Sequence, residues 1–114
     1  VILFLDDNDN RGAYFMQRNP DTVWVKTVED CILQLSRDVE WDSVWLDHDL
    51  NGEAMVDSNR TDCGMEVVRW MSEHPARVKF VVVHSYNHGA AEAMINLLNR
   101  SGYVVHRVLL PIVQ

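Results

Sequence analysis

Short, uninterrupted apolar runs alternate along the chain with stretches whose apolar positions recur every three or four residues. The run at 1–5 ("VILFL") predicts a buried strand, and similar runs follow at 22–25 ("TVWV"), 42–46 ("DSVWL"), 78–84 ("VKFVVVH") and 103–110 ("YVVHRVLL"). Helices are expected between them. The first covers 11–18 ("RGAYFMQR"). A second, over 27–37, has Thr27 as its cap and Val28, Cys31, Ile32 and Leu35 on one face. A third, over 64–74, is stopped by Pro75. The fourth, over 90–100, carries a stripe of Ala91, Met94, Ile95 and Leu98 and ends at Gly102. A polar loop fills the interval from His48 to about Asp62.

Strict alternation of strand and helix implies a parallel sheet covered on both faces. Right-handed crossovers then favour a flavodoxin-like α/β sandwich of three layers, with five strands in the order 2-1-3-4-5. Only four residues follow Leu110, so a helix after the fifth strand is expected to be short or absent. At 114 residues, 1–114 reads as a single domain.

Composition narrows the function classes. No apolar run is long enough to span a bilayer, and the opening residues are not those of a secretory signal. Cys31 and Cys63 lie far apart and form no CxxC motif, as expected of a reduced, cytoplasmic protein. A formal charge of −7 argues against an anionic membrane or non-specific DNA as partner. A small phosphorylated substrate stays compatible with that charge, because a divalent cation held by carboxylates reverses the local field.

The polar residues carry the candidate chemistry. In open α/β sheets, ligands bind beyond the carboxyl ends of the strands. That edge collects Asp6 and Asp7 after the first strand, Asp47, His48 and Asp49 after the third, and His84, Ser85 and Asn87 after the fourth. Any one of these residues is explained by turn formation. Turns do not, however, call for two histidines among so many carboxylates. Trp41, Trp45 and Trp70 read as packing residues. The carboxylates suit a hard divalent cation such as Mg²⁺ or Mn²⁺, whereas zinc on His48, His84 and His88 would be short of thiolates. With Asp6, Asp7, Asp47 and Asp49 in one cluster, like-charge repulsion is expected to lower stability until a metal binds, and Asp49→Asn to relieve it.

Two resemblances follow from these residues. The acidic pair Asp6 and Asp7, then Asp47, then Ser85, are similar to the response-regulator receiver domain. The lysine that ends its fifth strand is missing, since the chain has only Lys26 and Lys79. A nearer resemblance is to the cyclic-phosphate-processing receiver domain family. It covers nearly the whole chain through "FLDDNDNR", "WLDHDLNG", "TDCGMEVVRWM" and "VVHSYNHGAAEAM". Asn51 stands where a glycine is usual, and Cys63 where a threonine is. This resemblance implies a receiver-like fold and an enzyme that hydrolyses a cyclic phosphate on RNA, ADP-ribose or a nucleotide, in RNA repair or nucleotide-based conflict. The substrate is then a small cyclic phosphate or nucleotide, or an RNA end.

Hydrolysis of a cyclic phosphodiester needs charge neutralisation, an activated water and a protonated leaving oxygen. A metal on Asp7 and Asp47, with Asp6 reached through water, would supply the first two. His48 and His84 are the expected base and acid, in either order, with Asp49 beside them as a further catalytic group. Ser85, counted with the catalytic residues as well, and Asn87 and Arg11 are the expected phosphate contacts. Rival readings are a phosphoacceptor module with Asp47 phosphorylated, a haloacid-dehalogenase-like phosphatase using the "DHD" carboxylates, and a non-catalytic phosphate- or nucleotide-binding domain.

Overall fold

Alternate residues of the three central strands, Leu3, Leu5, Val44, Leu46, Val81 and Val83, are fully buried on one face of a sheet. In the computed structural model, which describes residues 1–110, the elements run β1 (Ile2–Leu5), α1 (Asp9–Arg18), β2 (Thr22–Val25), α2 (Val28–Leu35), β3 (Trp41–Leu46), α3 (Gly64–Glu73), β4 (Val78–Val83), α4 (His88–Arg100) and β5 (Val105–Arg107). All strand pairs are parallel, in the order β2-β1-β3-β4-β5. The expected flavodoxin-like topology is thus present.

The main core lies under α2, α3 and α4. Cys31 and Leu35, Val67 and Met71, and Met94 and Leu98 supply it from the three helices in turn. Trp41 is buried in that core, and Cys31 and Cys63 are free buried thiols. On the opposite face α1 sets Phe15 against Phe4, with Leu110, Trp24 and Trp45 around them. No helix among the described residues is long and apolar enough to cross a membrane.

Capping moves two helix starts. Thr27 caps α2 as expected, accepting from the Asp30 amide at 3.2 Å. The first helix begins at Asp9 rather than 11, because Asn8 caps it through the Arg11 amide. Likewise α4 begins at His88 rather than 90, since Asn87 accepts from the Ala90 amide. The fifth strand is shorter than the apolar run 103–110. Gly102, at φ +92°, ends α4, and the Tyr103 amide folds back onto the Leu98 carbonyl. The Tyr103 hydroxyl, bonded to the Met71 carbonyl and the Ala76 amide, then ties that residue to α3 instead of the sheet edge. Among the described residues no helix follows β5, and residues 111–114 lie outside them.

One glycine controls how closely α3 meets the site. The Gly64 amide donates to the His48 carbonyl at 2.8 Å, and a Cβ at 64 would stand 1.9 Å from the Asp47 carbonyl oxygen. That neighbour is backbone at the end of a central strand and cannot swing aside. Gly64→Ala is therefore expected to destabilise the fold by about 1–3 kcal/mol, the usual penalty for overpacking. Urea unfolding measures it, and a change below about 0.5 kcal/mol would contradict so close an approach.

Candidate functional site

Strand register builds the site. Leu5 pairs with Leu46, and Leu46 with Val83, so the three central strands end level. The residues one step beyond, Asp6, Asp47 and His84, therefore stand abreast. The ladder carries them one residue past the strands, since the Asp47 amide donates to the Leu5 carbonyl and the His84 amide to the Leu46 carbonyl. By the two-residue period of a strand, all three share the α1 face with Phe4, Trp45 and Val82. Asp6 and His84 are almost completely buried, and Asp47 is only 5% exposed.

A guanidinium makes this burial tolerable. Arg11, in the first turn of α1, forks onto Asp6, with Nε 2.8 Å from Oδ2 and Nη2 3.0 Å from Oδ1. The same Nη2 lies 3.5 Å from Oδ2 of Asp47. Burial works against the charge on Arg11, but the hydrogen bonds and charge of Asp6 outweigh it and raise the pKa. Asp47 is left with weaker compensation. Desolvation first, and the Asp6 charge second, push its carboxyl up to about 8. His84 moves the other way. Its ring stacks on Phe4 at 5.0 Å, and burial lowers its pKa to about 4, so it is neutral at pH 7. Nε2 donates to the Leu5 carbonyl at 3.1 Å, which fixes the tautomer and leaves Nδ1 unpartnered, 3.8 Å from Asp6 Oδ2.

The next row, Asp7, His48 and Ser85, turns toward the loop over 47–63. Asp7 accepts from the Gly52 amide at 2.5 Å. His48 is buried, with Nδ1 2.8 Å from Asp49 and Nε2 3.2 Å from the Ser58 hydroxyl. Ser85 accepts from the Asn87 amide at 3.0 Å. Asn87 is engaged at both ends, by its cap and by its Nδ2 contacts to Asp49 and the Val56 carbonyl. Arg69 reaches from α3 to the Ser58 and Arg60 carbonyls and holds the far side of the loop.

Asp49 corrects an expectation. Rather than adding repulsion to the acidic cluster, it organises the loop. Its carboxylate meets the His48 ring, the Asn87 amide group and the backbone amides of Met55 and Val56. Burial opposes its ionisation, but these donors overcome it and lower the pKa. Asp49→Asn is accordingly expected to cost about 1–2 kcal/mol rather than to stabilise, because an amide cannot accept at both positions. Unfolding of the metal-free variant in urea checks the sign.

Asp7, Arg11, Asp47, Asp49 and Ser85 line one open cleft of about 420 Å³, with Asn8, Asp9, Gly52, Glu53, Ala54 and Tyr86. His48, His84 and Asn87 are not among its lining residues. No lysine lines it either. Lys26 pairs with Asp9, Lys79 pairs with Asp42 at the opposite edge of the sheet, and Arg107 donates to the Ser85 carbonyl. A family model described as the cyclic-phosphate processing receiver domain matches residues 1–100. The chain belongs to that family. No curated protein matches it.

Within this cyclic-phosphate processing receiver domain, Asp6, Asp7 and Asp47 each offer an oxygen within 4.8 Å of the other two. An all-oxygen set of three carboxylates could hold a hard divalent cation. Of the imidazoles weighed for zinc, only His84 stands beside the cluster, with Nδ1 3.8 Å from Asp6. His88 Nδ1 faces Arg107 at 2.6 Å, and the His48 nitrogens are taken by Asp49 and Ser58.

Some site residues were missed from the sequence. Gly52, Ser58, Gly64 and Arg69 sit inside the quoted motifs or the loop between them, but their work depends on how a 17-residue loop closes, which periodicity does not encode; Tyr86, in the last motif, reaches the cleft from the loop after β4. Asn51 is the exception. Its φ of +63° lies in the left-handed region, which explains both the glycine usual there and the tolerance for asparagine.

Proposed function

We propose that this receiver domain binds a cyclic phosphodiester in the cleft and hydrolyses it with Mg²⁺ or Mn²⁺ held by Asp6, Asp7 and Asp47. The observation that carries this reading is the cluster of Asp6, Asp7 and Asp47, of which Asp7 and Asp47 line one open cleft with Arg11 while Asp6 is buried behind them, in a chain of this family. Such a cation, if held there, would neutralise phosphate charge and lower the pKa of a bound water.

The chain's own residues supply the rest. Water adds across one P–O ester bond, leaving a phosphomonoester and a free hydroxyl. The Ser85 hydroxyl accepts from Asn87 and keeps its own proton to donate to a phosphate oxygen. Arg11 offers a forked donor from the opposite wall. Asp49, ionised and held on four donors, accepts a hydrogen bond from the attacking water. His48, expected as base or acid, acts instead through Asp49 as a positioning residue, and His84 packs beside Asp6 without a hydrogen bond to it. Neither ring lines the cleft, so the leaving oxygen takes its proton from water in the open cleft. RNA repair and nucleotide-based conflict are settings in which such ends arise.

The test is a panel of cyclic phosphates, followed by phosphorus NMR with Mg²⁺ or Mn²⁺. It contains 2′,3′-cyclic nucleotides, an RNA with a terminal cyclic phosphate and a cyclic phosphate of ADP-ribose. Opening of one member by the parent, with on the order of 10²-fold loss in Ser85→Ala, supports the proposal. Binding without opening would assign a sequestering domain, and stable loading of Asp47 by beryllofluoride would assign a phosphoacceptor.

A further inference from the structure

The cation lodged among the three carboxylates is the guanidinium of Arg11. It uses both oxygens of Asp6, and its Nη2 reaches within 3.5 Å of Asp47. Those are two of the three side chains that offer a divalent ion its ligands. A carboxylate oxygen that ligates Mg²⁺ at about 2.1 Å cannot keep a guanidinium N–H on the same lone pair, and the two cations repel. Arg11 can leave. Its side chain is 21% exposed and lines the open cleft, whereas Asp6 is sealed at the strand end.

We propose that Arg11 and the divalent cation are alternative occupants of Asp6 and Asp47, so that metal binding releases the guanidinium into the cleft as the phosphate-binding donor. The inference rests on the metal reading above and adds an order to it. Without metal the site is closed by its own arginine. Once metal is bound, the freed fork faces the same space as Ser85 and Asp49. Metal and phosphate then bind with positive coupling, because the first ligand releases the group that the second one needs.

The experiment titrates the protein with Mg²⁺ alone, following the Arg11 Nε–H resonance by NMR and the affinity by calorimetry, for the parent, Arg11→Gln and Arg11→Lys. The expected result is loss of the hydrogen-bonded Arg11 Nε–H signal at saturating Mg²⁺. Mg²⁺ affinity should rise at least about tenfold in Arg11→Gln, with Arg11→Lys between it and the parent. An Nε–H that stays hydrogen-bonded in the Mg²⁺ complex would overturn the proposal, as would weaker binding in Arg11→Gln, since Arg11 would then be supporting the metal site. Mg²⁺ binding to none of the three also overturns it. If Arg11→Gln fails to fold, the parent resonance and the lysine variant decide. Failure of the catalytic reading looks different: Mg²⁺ binds and Arg11 moves, but no cyclic phosphate is opened.

Discussion

His84→Ala should cost the metal-free protein about 3–4 kcal/mol, close to the loss of a buried aromatic ring. The ring is 2% exposed, lies nearly parallel to Phe4 at an interplanar angle of 8°, and has Trp45 beyond it at 6.4 Å. Most of that cost is the cavity. The Leu5 carbonyl loses the imidazole N–H but keeps the Asp47 amide at 3.1 Å. His84→Phe refills the volume without the N–H and should recover most of the stability. Urea unfolding at pH 7 measures both variants. An alanine variant within about 1 kcal/mol of the parent would mean that the ring is not packed behind the site wall.

A second large effect concerns pH. The Asp47 carboxyl, held up near 8 by desolvation and then by Asp6, keeps its proton where the unfolded chain has lost it, at about 3.8. Its contribution to stability is therefore complete below the unfolded value and disappears as pH rises through about 8. His84 has the opposite sign. Its pKa falls from 6.5 to about 4, chiefly through burial, so the native state is penalised as pH drops below 6.5. The two slopes oppose one another between about pH 4 and 6.5, and above that window Asp47 acts alone. At about 1.4 kcal/mol per pH unit for one proton, the metal-free parent should lose about 2 kcal/mol between pH 6.5 and 8.

Asp47→Asn abolishes that loss, because the amide mimics the protonated acid at every pH. At pH 8 the variant should be the more stable protein without metal, while binding Mg²⁺ at least about tenfold more weakly. Thermal melts across pH with and without Mg²⁺, together with calorimetry, test both halves. A parent whose stability is level from pH 6.5 to 8 would show that the carboxyl ionises in the ordinary range. Unchanged Mg²⁺ affinity in the variant would remove Asp47 from the metal site.

What was legible in the sequence divides along physical lines. Buried parallel strands must be continuous in apolar residues, so "VILFL" and "FVVV" announced themselves, and with them the edge where Asp6, Asp47 and His84 emerge. The helix faces of Cys31 and Leu35, and of Met94 and Leu98, followed from their spacing. Local hydrogen bonding was harder to see. Asn8 and Asn87 lengthen α1 and α4 by capping them, and Tyr103 is drawn off the sheet by two distant backbone groups. The side-chain roles within the site depended on geometry. Asp47 and Asp49 are two residues apart with similar surroundings in sequence, yet one is nearly sealed against Asp6 and the other is wrapped in four donors. That difference sets one pKa upward and the other downward. The position of Arg11 on Asp6 needs the crossing of α1 over the strand ends, which no spacing reports.

The two kinds of support around the cleft have consequences in time. The amides of Asp47 and His84 are bonded to carbonyls of neighbouring central strands, so their hydrogens can exchange with solvent only when the sheet itself comes apart. The amides of Met55 and Val56 depend on a single side chain, Asp49, in a loop that is largely exposed from 51 to 55. They should exchange through brief local openings. The cleft thus has one wall that persists for as long as the fold does and another that is remade continually, and a bulky substrate would enter through the second.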